Sequence, residues 1–255
     1  MQSVRILQFT DTHLFSDPQG TLRGTRTLPS LRACLEHARR RHLPADLVAV
    51  TGDIVHDEPD AYGTLELLLE DIGAPVLLIP GNHDVPAEMH RRFVRPPFQV
   101  GGTREIGPWA VMMLDTSAEV SGAGEGRLGT QALRSLAVEL DELRRSHVLV
   151  FLHHPPVPME AAGLDSLGLV DAAEFLAVVD AHRNVRGVAW GHAHQSLDLL
   201  RGAARLMCTP ATCMQFMPRH PDFAVDDRPP GYRVIDLQDD GGIATEVVWL
   251  EGYAR

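Results

Sequence analysis

Leu47-Val48-Ala49-Val50-Thr51-Gly52-Asp53 is the stretch whose reading decides the fold. A short apolar run stops at a glycine and delivers a carboxylate. Four other stretches repeat the design. Ile6-Leu7-Gln8-Phe9-Thr10 ends in Asp11-Thr12-His13, and Val76-Leu77-Leu78-Ile79-Pro80 ends in Gly81-Asn82-His83-Asp84. Val148-Leu149-Val150-Phe151-Leu152 ends in His153-His154, and Gly187-Val188-Ala189-Trp190 ends in Gly191-His192-Ala193-His194. Each run has the length and the β-branched or aromatic content of a buried strand. Each ends in residues able to bind a metal. Sites in open α/β sheets collect at the carboxyl ends of the strands, so these ends are expected to converge on one edge.

Between the strands the periodicity becomes helical. Leu31, Leu35 and Ala38 stripe a helix expected from Leu28 to His42, with Arg39-Arg40-Arg41 where cations suit its C-terminus. Pro59 and Gly73 bracket a second helix, and a short one is expected around Ala87 to Phe93. Trp109 to Leu114 reads as a strand. Thr130 is a good N-cap for a helix to Arg145, and Asp171 with Glu174 makes a capping-box pattern opening a helix to His182. Short strands follow at Ser196 to Leu200, Ala204 to Cys208, Tyr232 to Leu237 and Ile243 to Leu250. Alternating strands and helices, then a run of strands, imply an α/β chain of two packed sheets with helices outside. It reads as a single domain over residues 1–255.

The 255 residues are enough for a full hydrophobic core. A formal charge of −11 with no basic stripe argues against a general binder of nucleic acid or acidic membranes. All 23 basic residues are arginine, which rules out a Walker-type phosphate loop and a Schiff-base lysine. Cys34, Cys208 and Cys213 show no CxxC spacing, so a reduced, cytoplasmic chain is expected. No apolar stretch approaches the roughly 20 residues of a membrane span. Removal of a leader peptide would take Asp11 with it, so none is expected.

Asp11 and His13 are two apart, as are His192 and His194, and in extended backbone such pairs face one side. Oxygen and imidazole donors without thiolate suit manganese, iron or zinc. Asp11, His13, Asp53, Asn82, His153, His192 and His194 make seven candidate ligands, too many for one tetrahedral ion. Two ions sharing Asp53 would use them all. Two metals about 3.5–4 Å apart are the standard means of hydrolysing phosphate esters, and they lower the pKa of a bound water from about 15.7 towards roughly 7. Taken singly, each residue has an ordinary reading: Asp11 as a turn residue, Asp53 as a helix cap, His153 or His192 as a packed histidine. Taken together they read as a site.

The series Asp-x-His, Gly-Asp, Gly-Asn-His-Asp, His-His and Gly-His-x-His resembles that of the calcineurin-like metallophosphoesterase superfamily. Arg5 to Phe15, with Thr209 to Phe216 and Pro230-Gly231-Tyr232-Arg233, is similar to the bacterial class III 3′,5′-cyclic-AMP phosphodiesterases. The similarity covers nearly the whole chain. It implies a four-layer α/β/β/α sandwich of two mixed sheets. It also implies one metal held by Asp11, His13, Asp53 and His194, and a second held by Asp53, Asn82, His153 and His192. His83 resembles the family's catalytic histidine, with Asp84 orienting it, and Asn82, His83 and His154 would flank the substrate. The implied reaction is hydrolysis of cyclic AMP to 5′-AMP by a hydroxide held between the two metals. Two alternatives stay open. One is another phosphodiester, such as a 2′,3′-cyclic nucleotide or a glycerophosphodiester, and the other is a binding scaffold without turnover. His56 is assigned no role, and Asp57 with Glu58 is read as a helix start. Pro155 to Leu169 and Cys213 to Gly231 are expected to wall the base. The expected partner is a small phosphodiester, with neither nucleic acid nor membrane; a homodimer is left open.

Overall fold

A computed structural model describes residues 3–118 and 122–253. The chain begins with β1 (Val4–Phe9), β2 (Thr21–Leu22), β3 (Thr25–Arg26), α1 (Thr27–Arg41), β4 (Leu47–Thr51) and α2 (Tyr62–Leu69). It continues with β5 (Val76–Ile79), α3 (Pro86–Arg92), β6 (Phe98–Val100), β7 (Gly102–Ile106), β8 (Trp109–Met113) and α4 (Gly129–Glu142). Next come β9 (His147–Phe151), α5 (Ala162–Asp165), α6 (Ala172–Ala181), β10 (Val185–Trp190), β11 (Leu197–Arg201) and β12 (Ala204–Cys208). It closes with β13 (Gln215–Phe216), β14 (Val225–Asp226), β15 (Gly231–Leu237) and β16 (Ile243–Trp249).

Two six-stranded sheets result, ordered β16-β15-β1-β4-β5-β6 and β11-β12-β10-β9-β8-β7. In the first, β1, β4, β5 and β6 run parallel, and β15 and β16 join antiparallel. In the second, β8, β9, β10 and β12 run parallel between antiparallel edges β7 and β11. Alternation along each strand builds the layers. Val48 and Val50 of β4 meet Leu31 and Leu35 of α1 and Leu65 and Leu69 of α2. Leu47 and Ala49 turn the other way, onto Leu77, Val111, Leu149, Phe151 and Ile235 between the sheets. Val148 and Val150 of β9 pack outward onto Leu136 and Leu140 of α4 and Phe175 and Val179 of α6. Each central strand therefore buries both faces, as parallel strands with crossover helices must. The layers run helix, sheet, sheet, helix.

Three helix expectations change. The helix bracketed by Pro59 and Gly73 divides into a 3₁₀ turn at Pro59–Ala61 and α2, which ends at Leu69. Thr130 does not cap α4, because that helix starts one residue earlier, at Gly129. Its first N–H groups go instead to Asp171, whose carboxylate accepts from Leu128 at 3.1 Å and Gly129 at 2.7 Å. Held there against the positive end of α4, Asp171 makes no side-chain cap on its own helix α6. No helix among the described residues is long and apolar enough to cross a membrane.

Candidate active site

Adjacent strands β1, β4 and β5 of the first sheet end in Asp11, Asp53 and Asn82, and adjacent β9 and β10 of the second end in His153 and His192. The two edges meet. Asp53 Oδ1 lies 3.4 Å from His153 Nε2, and Asp53 Oδ2 lies 3.6 Å from His13 Nε2. His194 Nε2 lies 3.5 Å from Asp11 Oδ1 and 3.1 Å from His13 Nε2. His153 Nε2 lies 3.2 Å from His192 Nδ1. His13, Asp53, Asn82, His83, His192 and His194 line a cleft of about 500 Å³.

The backbone does this differently from the extended pairing expected. Asp11, His13, Asp53, His192 and His194 all have φ between 42° and 62°. That left-handed region costs a non-glycine residue roughly 1–3 kcal/mol. Hooking the chain at alternate residues aims both members of each pair into one volume. The hooks brace one another across the strands. Asp11 N–H donates to the Gly52 carbonyl at 3.0 Å and His13 N–H to the Asp53 carbonyl at 2.9 Å. His192 N–H donates to both oxygens of Asp11 at 3.0 and 3.1 Å. A side chain at Gly81 would collide with Asp53 Oδ1 and His153 Nε2, so only glycine lets these groups approach.

Hydrogen bonds fix the imidazoles. His153 Nδ1 donates to the Thr51 carbonyl at 2.7 Å and His194 Nδ1 to the Met214 carbonyl at 2.8 Å, so each Nε2 turns inward. There they meet His13 and the carboxylates of Asp11 and Asp53, and acceptors face acceptors. Such a cluster demands positive charge between its members. Burial pulls His153 down, yet the charge and hydrogen bond of Asp53, with Asp11, raise it to about 9. Burial opposes ionisation of Asp53 too, but His153 and then His13 hold that carboxyl well below the usual range. Burial pushes Asp11 up, and it lowers His192 to about 3. Asn82 Oδ1, His154 Nε2 and His192 Nε2 are buried without a hydrogen-bond partner among the described residues. Four triads have donor atoms within 4.8 Å of one another: Asp11-His13-His194, Asp11-Asp53-His153, His153-His154-His192 and His13-His56-His83. The donor set fits metal ions.

Around this cluster four assignments shift. Asp84 was expected to orient His83, but its carboxylate accepts the N–H groups of Gly81, Ile54 and Val55 and the hydroxyl of Tyr62. It ties the β5 loop to the β4 loop. Asp57, read as a helix start, stands beside His83 instead, Oδ1 to Nδ1 at 3.0 Å. His56, given no role, places Nδ1 3.1 Å from His13 Nδ1, with its ring centroid 4.5 Å from that of His83. The sequence signal for both was their place just beyond Asp53. His154, expected to flank the substrate, is fully buried, with Nδ1 2.8 Å from Thr116 Oγ1. The two expected walls do border the cleft, through Leu164 and Leu167 on one side and Phe216 and Phe223 on the other.

The family model for calcineurin-like phosphoesterases matches residues 4–196, which hold all the strand-end motifs. The chain belongs to the calcineurin-like phosphoesterase family. This calcineurin-like phosphoesterase is 35% identical over 247 residues to the 3′,5′-cyclic adenosine monophosphate phosphodiesterase CpdA of Vibrio vulnificus, covering 96% of this chain and 89% of that one. The protein of the same name from Escherichia coli is 36% identical over 246 residues, with the same two coverages, 96% and 89%. Among solved structures, the fold is shared with a dimetal phosphatase from Danio rerio at a TM-score of 0.67 and 15% identity, covering 96% and 98% of the two chains. It is also shared with a purple acid phosphatase from yellow lupin, at a TM-score of 0.73 and 10% identity, covering 100% of this chain and 53% of the lupin chain.

Proposed function

We propose that this phosphoesterase is a dinuclear-metal phosphodiesterase that hydrolyses 3′,5′-cyclic AMP to 5′-AMP. The observation that carries the reading is the inward-facing set of His13, His153 and His194 on the carboxylates of Asp11 and Asp53. Similarity over 96% of the chain to relatives named as cyclic-AMP phosphodiesterases supports the substrate. Asp11, His13, Asp53 and His194 would hold one ion, and Asp53, Asn82, His153 and His192 the other. Nitrogen and oxygen donors of this kind suit iron, manganese or zinc. When bound, two such ions would lower the pKa of a water to roughly 7 and neutralise charge on the phosphoryl oxygens.

The chain supplies the rest. Asp57 holds Nδ1 of His83 at 3.0 Å, which leaves Nε2 for the substrate. His83 gives its proton to the departing 3′ oxygen as the bond from phosphorus to that oxygen breaks and the bond from phosphorus to the oxygen of water forms. In-line displacement puts the leaving oxygen opposite the attacking water, where His83, which lines the cleft, would meet it. The acidic surface is no obstacle to an anionic substrate, because bound cations dominate the local field. Metal-analysed enzyme incubated with cyclic AMP should yield 5′-AMP. A 3′-AMP product would overturn the orientation. Turnover of a linear diester with none of cyclic AMP would transfer the activity to another phosphodiester.

A further inference from the structure

The cleft changes character away from the ligand cluster, where Leu22, Arg23, Leu164, Leu167, Phe216 and Phe223 line it. These residues come from three segments that grip one another. Phe216 is anchored to a candidate ligand: its N–H donates to the His194 carbonyl at 3.1 Å, and its ring lies 5.0 Å from that imidazole. The Phe223 ring follows at 5.5 Å, tilted 66° to it. Arg23 sits at the tip of the β2–β3 hairpin, in a two-residue turn with φ of 45° at Arg23 and 87° at Gly24. Its guanidinium lies 5.3 Å over the Phe216 ring, and its Nη1 donates to the Phe223 carbonyl at 3.1 Å. The α5 segment closes the other side. Gly163 N–H donates to the Pro221 carbonyl at 3.0 Å, and a side chain on Gly163 would press on the Phe223 ring. Leu164 is buried at that junction.

Phosphate chemistry needs none of this. An apolar wall with two braced aromatic rings, directly beside the groups that would take the phosphate, matches the other end of a nucleotide. We propose that the purine base of the substrate is held against Phe216 and Phe223, between the β2–β3 hairpin and α5, with Arg23 positioning the two rings. The proposal rests on the phosphodiesterase reading, since a phosphate on the ligand cluster is what leaves the base at the apolar end. Aromatic rings bind bases through their π faces. Rings already strapped in place lose little freedom on binding. Preference for a cyclic nucleotide over a simple diester therefore resides in these residues, not in the metal ligands.

The test compares cyclic AMP with base-free ribose 3′,5′-cyclic phosphate in steady state, and measures calorimetric binding of adenosine to the metal-loaded protein. Phe216→Ala and Phe223→Ala should each raise KM for cyclic AMP about 10-fold or more and weaken adenosine binding, with a much smaller change on the base-free substrate. Arg23→Ala should shift the same quantities less. Phe216→Tyr should restore wild-type values and so separate a lost ring from a lost fold. Unchanged KM and unchanged adenosine binding in both alanine variants would overturn the base site while leaving the phosphodiesterase reading intact. Wild-type enzyme that turns over the base-free phosphate as efficiently as cyclic AMP would overturn it too. Inertness of the metal-loaded wild type to both substrates would remove the phosphodiesterase reading. Adenosine binding that depends on the two phenylalanines would still support the slot, and its absence would end it.

Discussion

The contact of His83 Nδ1 with Asp57 Oδ1 at 3.0 Å decides how one imidazole meets the substrate. General acid catalysis contributes about 10²–10⁴-fold, so His83→Ala should lose activity on cyclic AMP on that scale while retaining its metals by elemental analysis. The loss should be smaller on a nitrophenyl ester, whose leaving group departs without protonation. An equal loss on both substrates would make His83 a binding group. His56 acts through a different neighbour. Its Nδ1 lies 3.1 Å from Nδ1 of His13, so it can fix which nitrogen of His13 faces the cluster. Outer partners of this kind typically carry about 10- to 100-fold of metal affinity. His56→Ala should lose metal that much more readily to a competing chelator, and unchanged retention would deny it the role. The strand-end residues were legible in the sequence because each followed an apolar run. Asp57 and His56 were not, because their partners reach them from other loops. Asp84 was misassigned for the converse reason: its neighbour in sequence is His83, but its neighbours in space are the N–H groups of Gly81, Ile54 and Val55.

At the scale of elements, a buried polar chain joins the two sheets beneath the cluster. Arg233 of β15 is 1% exposed. Its guanidinium donates to the Cys208 carbonyl at 2.7 Å, the Leu197 carbonyl at 3.2 Å and Thr209 Oγ1 at 3.1 Å, all belonging to the second sheet or its edge. Thr209 in turn donates to Gln8 Oε1 at 2.6 Å, and Gln8 Nε2 donates to Thr51 Oγ1 at 2.9 Å. Gln8 lies on β1 and Thr51 ends β4, so the chain leads back to the strands that carry Asp11 and Asp53. Burial lowers Arg233 only to about 10, and it stays charged at neutral pH. Arg233→Met would keep much of the volume and strand these acceptors. It should destabilise the protein by about 2–5 kcal/mol, seen as a lower urea midpoint at unchanged slope. A midpoint within error of wild type would show that the apolar faces alone hold the sheets. Alternation made the strands legible: β12 occupies Ala204–Cys208 as expected from pattern. Caps were less legible, because Asp171 serves a helix 42 positions earlier in the chain rather than its own.

For the whole molecule, cations placed among the crowded acceptors would offset the repulsion between them. Stripping metal should lower the melting temperature, and restoring it should reverse the change. A ligand present at about 1,000 times its Kd adds roughly 4 kcal/mol. Asp53→Ala should abolish most of that metal-dependent gain, because Asp53 stands within 3.6 Å of histidines from both sheets. A gain equal to that of the wild type would mean that Asp53 does not join the two ions. The strand order carries one more consequence, for synthesis. β1 holds the first of the strand-end motifs and pairs with β15, and Arg5 lies 231 positions from its partner Asp236. A ribosome releases the first strand long before the second exists. Through that interval β1 has one unpaired flank, open to solvent and to other growing chains. Asp11 reaches its final surroundings only after β10 has delivered His192, whose N–H donates to both its oxygens. The seven candidate ligands can therefore stand together only once the chain has been made as far as His194.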